Sequence, residues 1–377
     1  MLDYEILRLI WWAILGILLI GFAILDGFDL GVGMLLPIIG RRDMERRIMI
    51  NTVGPVWEGN QVWLILGAGA SFAAWPYLYA ISFSGFYLAI FLALFGVILR
   101  PVGFKFRSKI ENPTWRSFWD MMLFLGGFIP ALVFGVAFGN LFLGVPYHFN
   151  DELRIVYTGS FFDLFHPFAL LTGLLSVVMF IFQGSNYLAV KTESPLSERA
   201  STVSLLSGLA FLALVTLGGW MVYSLNGYSL ENFSAFKGPS NPLHKTVAVI
   251  PGHWLYNFTV HTSLWSAVVL LYISVALALL TQKLKRPILA FVFSSLSIAS
   301  TLVMAGISLY PFLMPSSTNP NHSLTVWDAS SSELTLKIML ISVVVFLPFV
   351  LAYTAWMYRV MRGKVTSIDI EKNSNAY

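Results

Sequence analysis

The sequence predicts an all-α integral membrane protein that crosses the bilayer nine times. Of its 377 residues, 57% are hydrophobic and 11% are charged, whereas ordinary soluble chains carry about 25% charged residues. So much apolar surface cannot be buried in one water-soluble core, and nine stretches reach the length of about 20 apolar residues that a span requires. We therefore expect residues 1–377 to form a single polytopic membrane domain with no soluble domain.

Eight of the nine spans could form two four-helix bundles beside one additional helix. The chain begins MLDYEILRLIWW, with acids ahead of the apolar run and no small-residue cleavage site, so we expect the first span to be a retained helix. In the fourth span, Gly135 and Gly139 predict a close helix-packing face. The expected spans are Ile6–Ile39, Ile48–Phe72, Tyr77–Leu99, Ser117–Leu143, Phe162–Tyr187, Val203–Leu225, Val260–Thr281, Ile288–Leu313 and Leu336–Met361.

The loops between the spans alternate in charge. The loops after the first, third, fifth and seventh spans, with the C-terminal tail, hold all but five of the 23 Lys and Arg residues. Because Lys and Arg mark the cytoplasmic side, we expect the N-terminus outside and the C-terminus in the cytoplasm. The longest outer connections, 226–259 and 314–333, are rich in Pro, Ser and Asn and predict ordered caps. The net charge of +4 is too small and scattered for nucleic-acid binding.

Cofactor ligands are scarce in this sequence. It has no cysteine, which excludes disulfides, thiolate catalysis, iron–sulfur clusters and cysteine zinc sites. In the expected topology all six histidines fall on the outer side, and two of them, His166 and His261, lie near span ends. Such a pair could ligate haem, but a structural role is commoner there, so we expect this chain to bind no haem and no metal.

Carboxylates at membrane depth are the strongest functional signal, because a charge there is costly unless protein, a partner or water receives it. VWEGNQVWL places Glu58 in the second span, and DGFDLGVG places Asp26 and Asp29 three residues apart on one face of the first. Asp29 and Glu58 each lie about 15 Å from the inner ends of their spans. The sequence therefore predicts carboxylates at matching depth in two consecutive spans.

A short loop joins these two spans, so we expect antiparallel neighbours whose carboxylates could share a proton or a water chain. We interpret Glu58, Asp29 and Asp26 as a proton relay. Contact with a partner subunit and cation binding stay open as alternatives. A further alternative is hydrogen bonding to a first helix loosened by its glycines, Gly27, Gly31 and Gly33.

Three long motifs, DGFDLGVG, RRIMIN followed by VGPVWEGNQVWL, and LRPVGFKFRSKIE, closely resemble subunit II of the cytochrome bd quinol oxidases. FAAWPYLYAISFSGFY, FGVAFGNLFLGVP, YPFLMPSS, LTVWDASSSELTL and IEKNSNAY extend the likeness over essentially the whole chain. The resemblance implies a bacterial inner-membrane complex that oxidises ubiquinol or menaquinol and reduces dioxygen to water with cytoplasmic protons.

The resemblance also assigns the cofactors and partners. It implies that haem b and haem d belong to a haem-bearing subunit I, and that this chain is its haem-free, nine-helix relative. Small single-helix subunits in the complex and a structural quinone in subunit II are further expectations. The positions that it implies conduct protons towards the haems are Glu58, Asp29 and Asp26, with Lys109 near the mouth.

This chain departs from the family pattern at three positions. Residue 58 is Glu where some relatives have Asp, Val56 stands where relatives have His, and Lys105 stands where they have an acid. The mouth near Lys105 and Lys109 therefore carries more positive charge than the pattern suggests. Two other functions stay open: an autonomous secondary transporter with midplane carboxylates, and a pure scaffold.

Overall fold

Long helices make up most of the computed structural model, which describes residues 3–232, 236–372 and 377. The helices are α1 Tyr4–Ile39, α2 Asp43–Val53, α3 Trp57–Ala74, α4 Pro76–Gly85, α5 Tyr87–Phe106, α6 Pro113–Leu143, α7 Pro167–Lys191, α8 Leu196–Ser224, α9 Tyr256–Val260, α10 Trp265–Lys283, α11 Pro287–Leu309, α12 Glu333–Val360 and α13 Ser367–Lys372. Three antiparallel pairs of short strands are β1 Tyr147–Phe149 with β2 Ile155–Tyr157, β3 Asn226–Asn232 with β4 Thr246–Pro251, and β5 Phe312–Met314 with β6 Leu324–Thr325.

Eight helices of the described chain are long and apolar enough to cross a membrane: α1, α5, α6, α7, α8, α10, α11 and α12. Each corresponds to one of the nine expected spans. The remaining expected span, Ile48–Phe72, has no counterpart among these eight helices. It contains the polar run WEGNQ. That span is the one that carries Glu58, so its structure bears directly on the proposed relay.

The expected second span is not one continuous helix, although its crossing of the membrane stays a prediction. It divides into α2 and α3 at residues 54–56, where the backbone N–H of Val56 donates to the carbonyl of Val53 at 2.9 Å. Pro55 has no N–H to donate, which removes one bond from the helical ladder at this point. The break places Glu58 in the first turn of α3 instead of in a helix interior.

The expected third span is also divided, and its second part runs further than expected. α4 ends at Gly85, and α5 begins at Tyr87 and continues to Phe106. The expected span ends at Leu99, which places Arg100 in a basic loop. The structure corrects that assignment, because Arg100 lies within α5 with its side chain 2% exposed.

Helix α1 is the centre of the packing. It contacts α3, α6, α7, α11 and α12, while α5 packs on α6. A second group forms from α7, α8, α10 and α11, and the contact between α1 and α7 joins the groups. Helix α12 lies beside α1 and α3, and in this fully described helix Leu336 alone is buried. The arrangement has two groups of four helices with α12 at the side.

The glycines of α1 bring helix backbones together and do not loosen the helix. A Cβ added at Gly31 would lie 2.1 Å from the carbonyl oxygen of Phe180 and 2.9 Å from Cα of Gly184 in α7. A Cβ at Gly27 would lie 2.8 Å from the ring of Phe180, and one at Gly33 would lie 2.9 Å from the carbonyl oxygen of Leu123 in α6. Since α1 is one continuous helix, the alternative of a loosened first helix was wrong.

The predicted packing face of the fourth span is confirmed. A Cβ at Gly135 would lie 2.4 Å from the carbonyl oxygen of Thr172, and one at Gly139 would lie 2.7 Å from Cα of Ala169. Both contacts join α6 to α7. Small residues allow this approach of two backbones, which is how membrane helices gain contact without a hydrophobic driving force between them.

The two ends of the bundle differ, and we name them by their contents. The capped end holds the six strands, and there residues 226–232 and 236–259, with 314–333, form the expected ordered caps around a buried ion pair, Lys245 with Asp328; residues 233–235 of the first loop lie outside the described residues. The basic end holds α2, α13 and the turn Arg107–Lys109. Helix α1 runs from the capped end, where Tyr4 bonds to Ser331, to the basic end.

Candidate functional site

Asp26 and Asp29 lie on the buried face of α1, each 1% exposed, as their spacing predicted. Arg100 of α5 reaches this face with a two-pronged contact, donating to Oδ2 of Asp26 at 3.0 Å and to Oδ1 at 2.7 Å. Its Nη2 is 3.9 Å from Oδ2 of Asp29. Both carboxylate oxygens of Asp26 are therefore held by one guanidinium, and Asp29 receives the weaker contact.

A second chain of hydrogen bonds reaches Asp29 from α3 and α12. Asn60, 1% exposed, donates from Nδ2 to Oδ2 of Asp29 at 2.8 Å. The Tyr358 hydroxyl of α12 donates to Oδ1 of Asn60 at 2.6 Å. Oδ1 of Asp29 is buried and has no hydrogen-bond partner among the described residues. Four helices thus converge on one carboxylate that has one oxygen bonded and one free.

The charges of this cluster do not balance. Two carboxylates, Asp26 and Asp29, face a single guanidinium, Arg100, so the group carries a net charge of −1 when both acids are ionised. One proton on the pair makes it neutral. Because a buried net charge is costly, the arrangement can take up and release one proton, and the free Oδ1 of Asp29 is a suitable atom for it.

Glu58 does not join this cluster. Its side chain is exposed and makes no hydrogen bond or ion pair with any described residue. Residues two apart on a helix point about 200° apart, so when Asn60 faces Asp29, Glu58 must face away from the chain. α1 and α3 are the expected neighbours, but Glu58 and Asp29 form no hydrogen bond with each other in the described structure, so a shared proton or water chain between them stays a prediction.

Lys109 also lies apart from the buried acids. It ends the short turn Arg107–Lys109 at the basic end and is exposed, as is Lys105 in the last turn of α5. Nearby, the carboxylate of Asp120 accepts from Arg107 at 2.5 Å and from Arg46 at 2.8 Å. This ion-pair network ties α6 to α2 and to the turn, and the two exposed lysines add positive charge around it.

Three residues around Asp26 and Asp29 were not among the predicted site residues. Arg100 followed directly on an apolar run, so it was counted in a loop, and Tyr358 belongs to a span whose hydropathy carries no sign of its role. Asn60 lies two residues after Glu58 in the motif VWEGNQVWL, but no contact was predicted for it. The signal that could have found it is helical phase, because Asn60 and Glu58 cannot face the same neighbour.

A large apolar cavity of about 480 Å³ lies between α1, α6, α7, α8, α10 and α11. Aromatic and aliphatic side chains line it, among them Phe22, Phe134, Phe180 and Leu271 from these helices and Phe258 from α9. Its few polar groups include the hydroxyls of Thr216 and Tyr272, which hydrogen-bond to each other at 2.8 Å. The lining suits a long apolar chain and offers little to a charged ligand.

Two of the six histidines accept hydrogen bonds from the backbone at the capped end. Nδ1 of His166 accepts from the backbone N–H of Phe168 at 3.2 Å and caps α7, and Nδ1 of His322 accepts from Phe149 at 3.0 Å. No group of three or more His, Asp or Glu suited to a metal occurs within residues 3–232, 236–372 and 377.

Comparison with known proteins gives consistent matches along the chain. The family model described as cytochrome bd terminal oxidase subunit II matches residues 7–361. Cytochrome bd-I ubiquinol oxidase subunit 2 of Escherichia coli K12 is 50% identical over 377 residues, with all of both chains covered. Cytochrome bd ubiquinol oxidase subunit 2 of Bacillus subtilis 168 is 32% identical over 358 residues, covering 95% of this chain and 96% of the relative.

The fold has a counterpart among solved structures. The bd oxidase from Geobacillus thermodenitrificans contains a chain that superimposes with a TM-score of 0.69 at 16% identity, covering 94% of this chain and 98% of that one. Together with the eight apolar helices, these matches make this a multi-pass protein of the bacterial inner membrane. The chain belongs to the subunit II family of the cytochrome bd terminal oxidases.

Proposed function

We propose that this chain is the haem-free subunit II of a quinol:oxygen oxidoreductase, and that it stabilises haem-bearing subunit I and supplies a proton route from the cytoplasm. The complex would oxidise quinol, reduce dioxygen and carry haem b and haem d on subunit I. The Escherichia coli and Bacillus subtilis relatives are named as ubiquinol oxidase subunits, which supports ubiquinol as the substrate class. Small single-helix subunits would complete the complex.

The observation that carries the proton route is the unbalanced buried cluster. Asp26 and Asp29 share one guanidinium at membrane depth, and an ionisable group at that depth is functional by default. A purely structural ionic group would be more stable with equal numbers of positive and negative charges, because it would then bury no net charge. The spare carboxylate gives the cluster the capacity to hold and pass on a proton.

Glu58 has a different part in this route. Its exposed carboxylate stands in the first turn of α3, two residues from the Asn60 that bonds to Asp29. A bare carboxylate facing hydrocarbon would be costly, so the exposed side chain supports a contact with subunit I or with water at the subunit boundary. Protons would pass from the basic end, near Lys109 and Lys105, to Glu58 and the buried acids.

The topology belongs to the same proposal. α3 would be the ninth crossing, with its polar first turn shielded by subunit I, and the N-terminus would lie outside and the C-terminus in the cytoplasm. The two packed groups of four helices and the lateral α12 support two bundles with one additional helix. The apolar cavity would hold the tail of a structural quinone, with the paired hydroxyls of Thr216 and Tyr272 as its polar contacts.

Replacement of Glu58 tests the route. Glu58→Gln keeps the size and hydrogen-bonding capacity but cannot titrate, so we expect normal assembly and haem spectra with oxygen consumption reduced about tenfold or more. Glu58→Asp is the matched control, and we expect a much milder loss because the carboxyl remains. If Glu58 and Asp29 act in one relay, adding Asp29→Asn to Glu58→Gln should cost little more than the worse single change.

Two results would contradict the proposal. Near-normal turnover in a fully assembled Glu58→Gln complex would remove Glu58 from the proton route. Activity that falls only in proportion to lost assembly would support the scaffold function instead. An autonomous transporter would purify without a haem-rich partner, so the visible spectrum of the affinity-purified complex distinguishes that alternative.

A further inference from the structure

We propose that Asn60 and Tyr358 form an amide–phenol clamp that positions Asp29, so that Oδ2 stays a fixed acceptor and Oδ1 takes up and releases the proton. The inference rests on the proposed proton route and adds to it the reacting atom and two positioning residues. Neither residue is given a proton-carrying part. Both act through Asp29.

The clamp fixes the orientation of the Asn60 amide. Its NH₂ group donates to Oδ2 of Asp29 at 2.8 Å, and its carbonyl oxygen accepts from the hydroxyl of Tyr358 at 2.6 Å. An amide has donors only on nitrogen and acceptors only on oxygen. Rotating the amide by half a turn would present its oxygen to Oδ2 of Asp29, which has no proton to donate, so Asp29 selects the orientation of the amide. The hydroxyl of Tyr358 then holds the amide in this orientation by donating to its oxygen.

The same hydrogen bonds prevent proton transfer from Asp29 through Asn60 to Tyr358. An amide has no titratable proton near neutral pH, so Asn60 cannot pass a proton between the carboxylate and Tyr358. Tyr358 is partly exposed on α12, a helix whose side chains are almost all exposed or half-buried. The clamp therefore blocks proton transfer from Asp29 towards α12. It leaves Oδ1 as the oxygen of Asp29 that can take up and release a proton.

Proton balance assigns the reaction to one oxygen. The oxygens of Asp26 are both held by Arg100, and Oδ2 of Asp29 is held by Asn60. Oδ1 of Asp29 is the remaining carboxylate oxygen of the cluster without a hydrogen bond among the described residues. A proton arriving there turns the carboxylate into a carboxylic acid and the net charge from −1 to 0, and its departure from Oδ1 restores the charge.

Tyr358→Phe in the purified oxidase complex tests the clamp, with Tyr353→Phe as the matched control. Tyr353 lies on the same helix, is 65% exposed and has no hydrogen bond in the described structure. Loss of one hydrogen bond predicts a turnover loss of about two- to tenfold in Tyr358→Phe, with assembly and haem content unchanged. Tyr353→Phe should retain wild-type turnover.

Infrared difference spectroscopy supplies a readout that a structural role would not change. The carbonyl band of protonated Asp29, identified by its absence in Asp29→Asn, belongs to Oδ2, which accepts from Asn60. We expect Tyr358→Phe to move this band to higher wavenumber, because a freed amide no longer holds that bond, and Tyr353→Phe to leave it in place. Should Tyr358→Phe fail to assemble, Asn60→Ala provides the same two measurements.

Different results test the clamp and the proton relay. The double change Asn60→Ala with Tyr358→Phe should be no worse than Asn60→Ala alone, because the two residues act as a unit. Additive losses, or an unmoved carbonyl band in Tyr358→Phe, would overturn the clamp while leaving the relay intact. Wild-type turnover in Asp29→Asn would overturn the relay itself, whatever the clamp variants show.

Discussion

Two buried ionic groups, one at each half of the molecule, differ in their balance of charge. At the capped end, Lys245 and Asp328 form a one-to-one pair at 2.8 Å, with side chains 0% and 1% exposed. Near the basic end, Arg100 faces both Asp26 and Asp29. Lys245 and Asp328 join two loops, and their charges cancel. Arg100 with Asp26 and Asp29 has a net charge of −1 when both acids are ionised, so this group can accept a proton.

The capped-end pair is stabilised from both sides. Nζ of Lys245 also donates to the carbonyl of Pro242 at 2.5 Å, and Oδ1 of Asp328 accepts from the backbone N–H of Thr325 at 2.9 Å. Burial raises the pKa of Asp328 and lowers that of Lys245, and each shift is opposed by the charge of the partner. The comparison teaches that burial of ions alone does not indicate function, and the proposed proton route rests instead on the unequal numbers of acidic and basic groups around Arg100.

The largest expected effect comes from unbalancing the matched pair. Asp328→Asn would leave Lys245 buried without a counter-ion, and breaking a buried pair in this way costs about 3–5 kcal/mol. We expect a low yield and a lower melting temperature of the complex, measured by differential scanning fluorimetry. Turnover per haem in the fraction that assembles should equal the wild-type value.

Asp3→Asn is the control for this change. Asp3 pairs with Lys237 at 3.7 Å, but their side chains are 61% and 72% exposed, and surface pairs contribute about 0–1 kcal/mol. Its melting temperature should therefore be close to that of the wild type. A loss of turnover per haem in assembled Asp328→Asn would contradict the comparison, because it would give the capped-end pair a functional part.

A smaller effect is expected from pH at the capped end. Burial, helped by the charges of Lys245 and His148, lowers the pKa of His322, whose Nδ1 accepts from the N–H of Phe149. The unfolded chain then binds the proton more readily, so this contribution to stability is present above about pH 6.5 and is lost as pH falls. Because His322 is partly exposed, we expect less than about 1 kcal/mol.

Melting temperatures of the complex between pH 7.5 and pH 5 check this sign in the range set by the histidine pKa of about 6.5. His322→Asn keeps an acceptor near Nδ1 without titrating, so it should flatten the fall in stability on acidification. His261→Asn, at an exposed histidine with no described side-chain hydrogen bond, should leave the slope unchanged. A wild-type slope in His322→Asn would assign the pH dependence to other groups.

Composition and hydropathy predicted much of this fold, because burial of apolar surface decides it. The eight apolar helices, the ordered loops at the capped end and the Gly135 packing face follow from properties that a sequence carries locally. The break at 54–56 was also within reach, since Gly54-Pro55 is a recognised helix breaker. It was missed because the apolar runs on both sides were read as one span.

The site was predicted less completely, for a physical reason. Spacing placed Asp26 and Asp29 on one face, but the neighbours of that face depend on how helices rotate about their axes when they pack. Glu58 was expected to meet Asp29, and packing turned Asn60 inward instead. Arg100 and Tyr358 come from helices distant in sequence, so no local pattern could have joined them to the cluster.

Turnover per haem in the Asp29→Asn complex tests the central claim most directly. Asn keeps the size of the side chain and an acceptor for Asn60 but cannot carry a proton, and Asp151→Asn at an exposed site of the capped end is the control. We predict that Asp29→Asn assembles with wild-type haem content and consumes oxygen about tenfold more slowly or worse, while Asp151→Asn matches the wild type. Wild-type oxygen consumption in a fully assembled Asp29→Asn complex would contradict the account, because the unmatched carboxylate would then have no part in proton transfer.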